Sequence, residues 1–536
     1  MLELRALEPA AVGRGRRPVG VPPLVAVPAA VVGAAVLLPV AYLVVRAAGA
    51  GPEVWELLWS PRTGRILLRS LLLAGAVTAS TVLLAVPLAW LTTRTDLPGA
   101  RLWRVVTALP LVVPSYVGGF VVATALGPAG LLQQLLHRLA GVERLPDVYG
   151  FPGAWLVLTL FTYPYVLLSV RAGWRGLDPA LEEVARTLGE RGWRAFRRAV
   201  LPQLWPWIRA GALLVALYTL ADFGAVSMMQ FETFTTAIYV QYQASFDRHG
   251  AAALALVLVA LTGALLAAAD RPGRGPQHRV GLGPGRRPPR VPLGPWRWPA
   301  LLGCTGVTLV AVVLPLGVLL YWLLLGLAHG EPLVLTWRPA LTSLALGAAS
   351  AVVTVAAAFP LALLAARFSG PMALLAGRIV YAGYALPGIV VALALVFVTA
   401  RVVPALYQTP AALLVAYAVL FLPQAAGALR AALARVHPSQ EEAARTLGRT
   451  PAQVLWSVTL PLVRPGVAAA AALVFLTTMK ELPATLLLSP IGMETLATRV
   501  WSAAGEGFFA RAAAPALLLV LLSSLSLATL ARQEEP

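Results

Sequence analysis

Stretches of about twenty mostly apolar residues recur along this chain, and no feature restricts its fold more. A bilayer core is about 30 Å thick and a helix rises about 1.5 Å per residue, so a span needs roughly 20 apolar residues. Blocks of that kind lie at 23–45, 67–91, 105–126, 154–170, 208–229 and 251–269, and again at 300–327, 341–364, 379–402, 411–429, 466–488 and 512–530. The expected fold class is therefore an all-α polytopic membrane protein with about twelve transmembrane helices. Of 536 residues 59% are apolar and 12% charged, against roughly 45–50% and 25% in soluble domains. That excludes an ordinary soluble enzyme and a disordered chain. The first block exceeds the roughly 7–15 residues of a signal-peptide core, and no clear small-residue cleavage site follows it, so it reads as an uncleaved span.

The net charge of +19 comes from arginines set between the apolar blocks. Positive-inside topology accounts for them, and no basic domain stands apart to bind nucleic acid. A Pro/Gly/Arg-rich tail (1–22) holds Arg5, Arg14, Arg16 and Arg17, and a similar segment (271–299) joins the two sets of blocks. Proline and glycine break helices and clustered arginines resist translocation, so 271–299 reads as a cytoplasmic linker between halves at 23–270 and 300–536. Arg94, Arg101, Arg104, Arg367 and Arg378 fall on the same predicted cytoplasmic side, as do the arginines between Arg171 and Arg209 and between Arg430 and Arg464. Arg62, Arg65 and Arg69 run against the rule. Both termini are expected in the cytoplasm, and the chain in the inner or plasma membrane. The single cysteine, Cys304, excludes an internal disulfide and a cysteine metal site.

The two halves repeat. Asp178-Pro-Ala-Leu-Glu-Glu-Val-Ala-Arg-Thr-Leu-Gly189 aligns with His437-Pro-Ser-Gln-Glu-Glu-Ala-Ala-Arg-Thr-Leu-Gly448 at an offset of 259, and Leu201-Pro202 and Pro206 keep that offset to Leu460-Pro461 and Pro465. More loosely, Ala108-Leu-Pro110 matches Ala385-Leu-Pro387, and Glu232-Thr-Phe-Thr235 resembles Glu494-Thr-Leu-Ala497. An even number of spans per half gives a parallel repeat with a pseudo-two-fold axis along the membrane normal.

The repeated loop is patterned as a short helix. Asp178 suits the cap and Pro179 the first position. Glu182 and Glu183 suit the positive end of the dipole. Leu181, Val184, Ala185 and Leu188 share one apolar face, and Gly189 ends the helix. A second short helix is expected at 193–200, and Ser439 with Glu442 is a candidate capping box in the second copy. A polar-ended helix with one apolar face, held outside the lipid, either packs on its own spans or offers that face to a partner's groove; two matched copies favour a partner that is itself two-fold.

These strings resemble the EAA loops of ABC-importer permease subunits, and their duplication is similar to the fused permeases in which one chain supplies both halves. The resemblance covers the chain apart from its tail and linker. It implies the type I ABC-importer permease fold, a substrate-binding protein outside the cell membrane, and two copies of an ATP-binding subunit on which the loops (178–202 and 437–461) dock. The residues implied for coupling are Glu182, Glu183, Ala185, Leu188 and Gly189, with Glu441, Glu442, Ala444, Leu447 and Gly448. The first copy reads Glu-Val-Ala at 183–185 where the family pattern has Glu-Ala-Ala; the second, at 442–444, matches it.

A phosphate-binding P-loop needs Gly-Lys followed by Ser or Thr. The one lysine, Lys480, lies between Met479 and Glu481, so the chain is not expected to hydrolyse ATP or bind a cofactor; ATP and magnesium belong to the partner. Ionisable residues inside spans are functional candidates. Asp222 and Glu481 occupy equivalent positions at the 259 offset and are candidates for the substrate path, with Glu232, Glu494 and Tyr239 (and Tyr242 near it) at the outer mouth. The strings around these residues look most like iron(III)-type permeases, and carboxylates and phenolates are hard donors that suit a hard cation; no metal ligand set is fixed by the sequence. The same architecture could import thiamine, phosphonate or another small solute. An ion-gradient transporter in two parallel halves would not need the paired loops. A membrane enzyme would need convergent ligands or acid–base groups, and His137, His249, His278, His329 and His437 form no pair at helical spacing.

Overall fold

Without water in the bilayer core every backbone N–H and C=O has to be satisfied inside its own segment, which makes helices of the apolar blocks. The structure, a computed structural model, describes residues 21–49, 51–128, 130–175, 177, 179–190, 192–245, 247–269, 290–331 and 337–533. Most of the expected tail, 271–289 of the expected linker, the expected cap Asp178 and the side chain of Leu181 lie outside the described residues. The elements used below are, in chain order, α1 (Pro23–Ala48), α2 (Pro61–Arg94), α3 (Ser115–Leu126), α4 (Phe151–Arg175), α5 (Pro179–Thr187), α6 (Leu201–Ala221), α7 (Gly224–Met228), α8 (Arg248–Ala269), α9 (Leu314–Ala328), α10 (Trp337–Arg367), α11 (Gly388–Arg401), α12 (Pro410–Arg435), α13 (Pro438–Thr446), α14 (Leu460–Lys480), α15 (Pro483–Leu488), α16 (Leu496–Gly505) and α17 (Phe509–Gln533). Among the described residues ten helices are long and apolar enough to cross a membrane, and the bent pair Pro371–Gly383 and α11 makes an eleventh. The twelfth predicted position is held by α17, whose described apolar part is Phe509–Ser524.

Four blocks expected as unbroken spans are interrupted. Block 105–126 runs through a 3₁₀ turn at Leu109–Val112 before α3 starts, and block 379–402 bends by 105° between Gly383 and Gly388. Blocks 208–229 and 466–488 stop at Asp222 and Glu481, both in extended conformation (ψ 131° and 126°), and resume as α7 and α15. Proline explains the first two breaks: Pro114 and Pro387 each sit extended just before a new helix, and a proline cannot continue the hydrogen-bonded run behind it. This corrects one sequence alignment. The helix starts pair Pro114 with Pro387, at an offset of 273, whereas Pro110 lies inside the preceding 3₁₀ turn. The same 273 offset relates Pro87 in α2 to Pro360 in α10, and Arg94 to Arg367 at the ends of those helices.

From the loop to the starts of α7 and α15 the offset is 259 and holds to the residue, and beyond them it becomes 262, as in Glu232 and Glu494. It relates α5 to α13 and α6 to α14. The separate second helix expected at 193–200 is instead continuous with α6 through a π turn at Phe196–Val200, and Leu455–Thr459 does the same before α14. A third π turn, Leu309–Val313, precedes α9. Each of the three ends immediately before Leu-Pro, with the leucine N–H bonded to the carbonyl five residues back. Proline lacks an N–H and its ring collides with the carbonyl four residues back; widening the turn by one residue removes the clash without ending the helix.

The described residues form two compact units, and these cut across the sequence halves. The first contains Pro61–Thr236 and Leu261–Ala328; the second contains 21–60, Ala237–Ala260 and 329–533. Each unit thus takes its opening helix from the other half. In the first, α9 packs on α3. In the second, α1 packs on α10 and α11, with the Tyr42 and Phe397 rings 6.5 Å apart. Only 28% of the most apolar stretch of α1 is buried, along one stripe through Val25, Ala29, Val36 and Leu43.

The last residues of the expected linker are not a free connector. Val291 pairs with Thr95 as a parallel bridge, donating its N–H to the Arg94 carbonyl (2.7 Å) and accepting from the Asp96 N–H (3.2 Å). The Asp96 carboxylate accepts from the Leu293 N–H (2.8 Å) and from Arg297 (3.1 Å). The Leu293 N–H, then the Arg297 guanidinium, hold the Asp96 carboxyl below its usual range. A depressed folded pKa stabilises above the unfolded pKa and loses that contribution as pH falls through the folded value. Hydrogen-exchange protection of the Val291 and Leu293 amides should therefore persist from neutral pH to about pH 4 and fall below it, and Asp96→Ala should remove it at neutral pH.

Candidate functional site

Both copies of the repeated loop form the expected helix and stop it in the same way. Gly189 and Gly448 have φ of +85° and +82°, a region that costs a β-branched residue roughly 1–2 kcal/mol. After each glycine the next N–H returns five residues, Glu190 to the Ala185 carbonyl (3.0 Å) and Arg449 to Ala444 (3.2 Å); this is the Schellman closure. The start differs from expectation in the second copy. Pro438 is the first helical residue, so the cap falls on His437, whose Nδ1 accepts from the Ser439 N–H. Ser439 and Glu442 do not form the expected capping box. A capping box does occur after the glycine stop, between Thr450 and Gln453, where it opens the short helix Pro451–Val454.

The helices divide their residues between two faces. Glu441 and Ala444 are buried, and Glu182 and Ala185 are half-buried, so this side meets the spans. Glu183, Val184, Leu188, Glu442 and Leu447 are exposed, Leu188 at 78% and Leu447 at 83%. Each copy thus leaves a leucine open beside its glycine stop. The inward acids are met by arginines that the sequence reading did not single out for a role. The Arg94 guanidinium donates to Glu182 (2.7 Å), and Arg367 donates to Glu441 (3.1 Å). The shared string Ala-x-Pro-Leu-Ala-x-Leu-x-x-Arg at 85–94 and 358–367 could have marked them, but it runs at 273 rather than 259.

The opposite ends of α2 and α10 carry a second repeated arrangement. The Phe234 N–H donates to the Ser70 hydroxyl (3.3 Å), and the Leu496 N–H donates to Ser343 (2.9 Å). The Thr233 and Thr495 N–H groups each donate to the threonine hydroxyl three residues on, at 2.9 Å. The loose sequence pairing of Glu232 with Glu494 is thus a structural one. Glu232 is bound by Arg62 (2.8 Å) and Arg69 (3.5 Å), and Glu494 by Arg499 (3.3 Å). Two of the arginines that contradict the positive-inside pattern therefore sit there with a carboxylate beside them. Tyr239 is half-buried in the helix Phe234–Gln243.

Asp222 and Glu481 cap the helices that resume after the breaks. Asp222 accepts from the Ala225 and Val226 N–H groups (2.8 and 3.3 Å). Glu481 accepts from the Ala484 and Thr485 N–H groups and the Thr485 hydroxyl, all at 3.1 Å. Their own carbonyls accept from Thr235 (2.6 Å) and Thr485 (2.8 Å). Each carboxylate thus satisfies N–H groups that the break exposes and sits at the positive end of a dipole. In each unit the two broken spans meet: α7 lies on α3, and α15 on α11. The fit is close, since a Cβ on Gly388 would lie 2.8 Å from the Glu481 Oε1. Glu481, Tyr417, Thr478, Thr485, Thr495 and Ser343 line a cavity of about 10 Å³, room for about one water. Among the described residues no three histidine, cysteine, aspartate or glutamate side chains converge to hold a metal ion.

Comparison with known proteins matches the family model described as "Binding-protein-dependent transport system inner membrane component" twice, over residues 82–271 and 358–534. The Fe(3+)-transport system permease protein FbpB 2 of Haemophilus influenzae is 34% identical over 500 residues, covering 92% of this chain and 95% of that protein. The molybdenum transport system permease protein ModB of Escherichia coli is 32% identical over 203 residues, 36% of this chain and 87% of its own length. The sulfate transport system permease protein CysT of Escherichia coli is 29% identical over 237 residues, 43% of this chain and 84% of its own.

The capping geometry makes a prediction. Asp222→Ala should lower stability by about 1 kcal/mol, the usual worth of an N-cap, read as a lower unfolding midpoint in detergent. Gly388→Leu should cost more, because the added side chain meets the Glu481 carboxylate.

Proposed function

The chain belongs to the binding-protein-dependent transport system inner membrane component family, and from that membership we propose that it forms the membrane passage of an ABC importer for ferric iron, opened by a separate ATP-binding subunit. The observation that carries the coupling role is the matched pair of helices, α5 and α13. Each ends in a Schellman closure and leaves an acid and a leucine open, Glu183 with Leu188 and Glu442 with Leu447. An apolar knob flanked by charge fits a groove on a soluble partner. Two copies ask for two grooves, so the partner is two copies of one ATP-binding subunit. ATP and magnesium are bound there, since the one lysine of this chain stands in no Gly-Lys-Ser/Thr string.

The chain is a multi-pass inner-membrane protein. The loops face the cytoplasm in this reading, and both termini lie on that side. A substrate-binding protein docks on the side opposite the loops and delivers the solute, and Glu232 and Glu494, each at the end of its own repeat away from the loop, are the proposed mouth residues. Ferric iron is supported by the name of the relative that spans nearly the whole chain and by carboxylates along the proposed path, which are hard donors. Asp222 and Glu481 contribute by holding the two broken spans in register and lining the path, with Tyr239 nearby in sequence at its mouth. The shorter relatives are named for molybdenum and sulfate transport, so an oxyanion is the reading to be set against iron, with thiamine and phosphonate as further arms of the same test. Family membership argues against the ion-gradient alternative.

Two measurements test this. Purification of the chain with its co-expressed ABC ATPase should yield a complex, and vesicles holding that complex should take up ferric ion only with ATP and an iron-loaded binding protein; uptake of molybdate or sulfate in place of iron would overturn the cargo. The double variant Gly189→Val with Gly448→Val should insert normally yet lose most binding-protein-stimulated ATP hydrolysis, because the left-handed stop behind each leucine is strained.

A further inference from the structure

Each coupling helix is held to its bundle by an ion pair at the same place, and the two pairs are built from different surroundings. Arg94 and Glu182 have side chains 6% and 17% exposed; Arg367 and Glu441 have 13% and 11%. In the first unit the Arg94 guanidinium also lies 5.1 Å over the Trp174 ring, which stacks on Phe196 of the π turn at 6.4 Å. In the second, Arg367 also donates to the Val436 carbonyl (3.0 Å), and the Thr459 hydroxyl of the π turn donates to Glu441 (3.1 Å). Different contacts therefore achieve one result: an arginine at the last residue of α2 or α10 pairs with the coupling helix, and the same cluster reaches the π turn that opens α6 or α14, through Trp174 and Phe196 in the first unit and through Glu441 and Thr459 in the second.

That junction continues into a long helix with one internal proline, Pro206 in α6 and Pro465 in α14. Helices α6 and α14 are 21 residues long, about 30 Å at 1.5 Å per residue, and each runs unbroken from the π turn to the capped break at Asp222 or Glu481. A load on the coupling helix would reach the break through that one helix, and it would enter α2 as well wherever the arginine pair holds.

We infer that Arg94 and Arg367 are positioning residues for transport: their ion pairs with Glu182 and Glu441 make each coupling helix move as one body with the second and fifth spans of its repeat. This rests on the coupling reading of α5 and α13, but it adds a mechanical role for residues that need not touch the ATPase. Removing one partner of a shielded pair leaves an uncompensated charge, so the test uses exchange as well as removal. The readout is ferric ion taken up per ATP hydrolysed, in vesicles holding the chain, its ATPase and the iron-loaded binding protein. Arg94→Glu with Arg367→Glu should still co-purify with the ATPase but lower that ratio by about tenfold, within the usual range of coupling energies. Arg94→Lys with Arg367→Lys, which keeps the charge and should fold more readily, should lose less. Exchange in both repeats, Arg94→Glu with Glu182→Arg and Arg367→Glu with Glu441→Arg, should restore much of the ratio. An unchanged ratio in the Arg→Glu variants, or no recovery on exchange, would overturn the pairing role while the importer reading stands. A wild-type chain that recruits no ATPase would overturn the importer reading itself.

Discussion

A backbone group buried in hydrocarbon has to find a partner within its own segment, and most of this architecture follows from that requirement. Unbroken spans meet it as helices. A break does not, so each one is made where a side chain can repair it. At Asp222 and Glu481 the helix ends, the chain extends for a residue, and the carboxylate takes up the N–H groups of the helix that follows. Acids that would be costly in lipid are here part of the backbone's accounting. The same requirement explains the π turns before Leu201-Pro202, Leu314-Pro315 and Leu460-Pro461: the chain widens by one residue and keeps its hydrogen-bonded run.

Placed together, these devices give each repeat two worked ends joined by one continuous helix. At one end the coupling helix is fastened through a shielded arginine–glutamate pair; at the other the broken spans cross over a capping acid. Helices α6 and α14, apolar and of equal length, connect them. In the proposed coupling role, the exposed leucines Leu188 and Leu447 would be where another protein imposes movement.

Legibility in the sequence was uneven, and the unevenness has causes. The long apolar helices came from block length, and the short loop helices from a duplicated string with a proline start and a glycine stop; local chemistry governs both, and eight of the twelve blocks run without a break of the kinds at Leu109, Gly383, Asp222 and Glu481. The breaks inside the spans were less legible, because apolar composition does not register an extended residue at Asp222 or the bend before Gly388. The first-copy and second-copy proline strings were paired at the wrong register, since Ala-Leu-Pro recurs by composition while the helix start follows Pro114 and Pro387. The His437 cap was hidden behind a serine that is a better cap by type but stands two positions too far along, after the proline.

The sequence alone determined that this chain lives in a membrane, that it is two copies of one plan, and that each copy presents a short helix ended by glycine. These are consequences of hydrophobic length and of backbone conformations that only certain residues tolerate, so they need no neighbours to be decided. The tertiary structure decided which face of that helix is free, that Arg94 and Arg367 grip the other face, that Asp222 and Glu481 cap rather than float, and that each compact unit borrows its opening helix from the other half. Those outcomes depend on which distant segments are brought within hydrogen-bond reach, and no pattern within a single stretch of chain encodes that proximity.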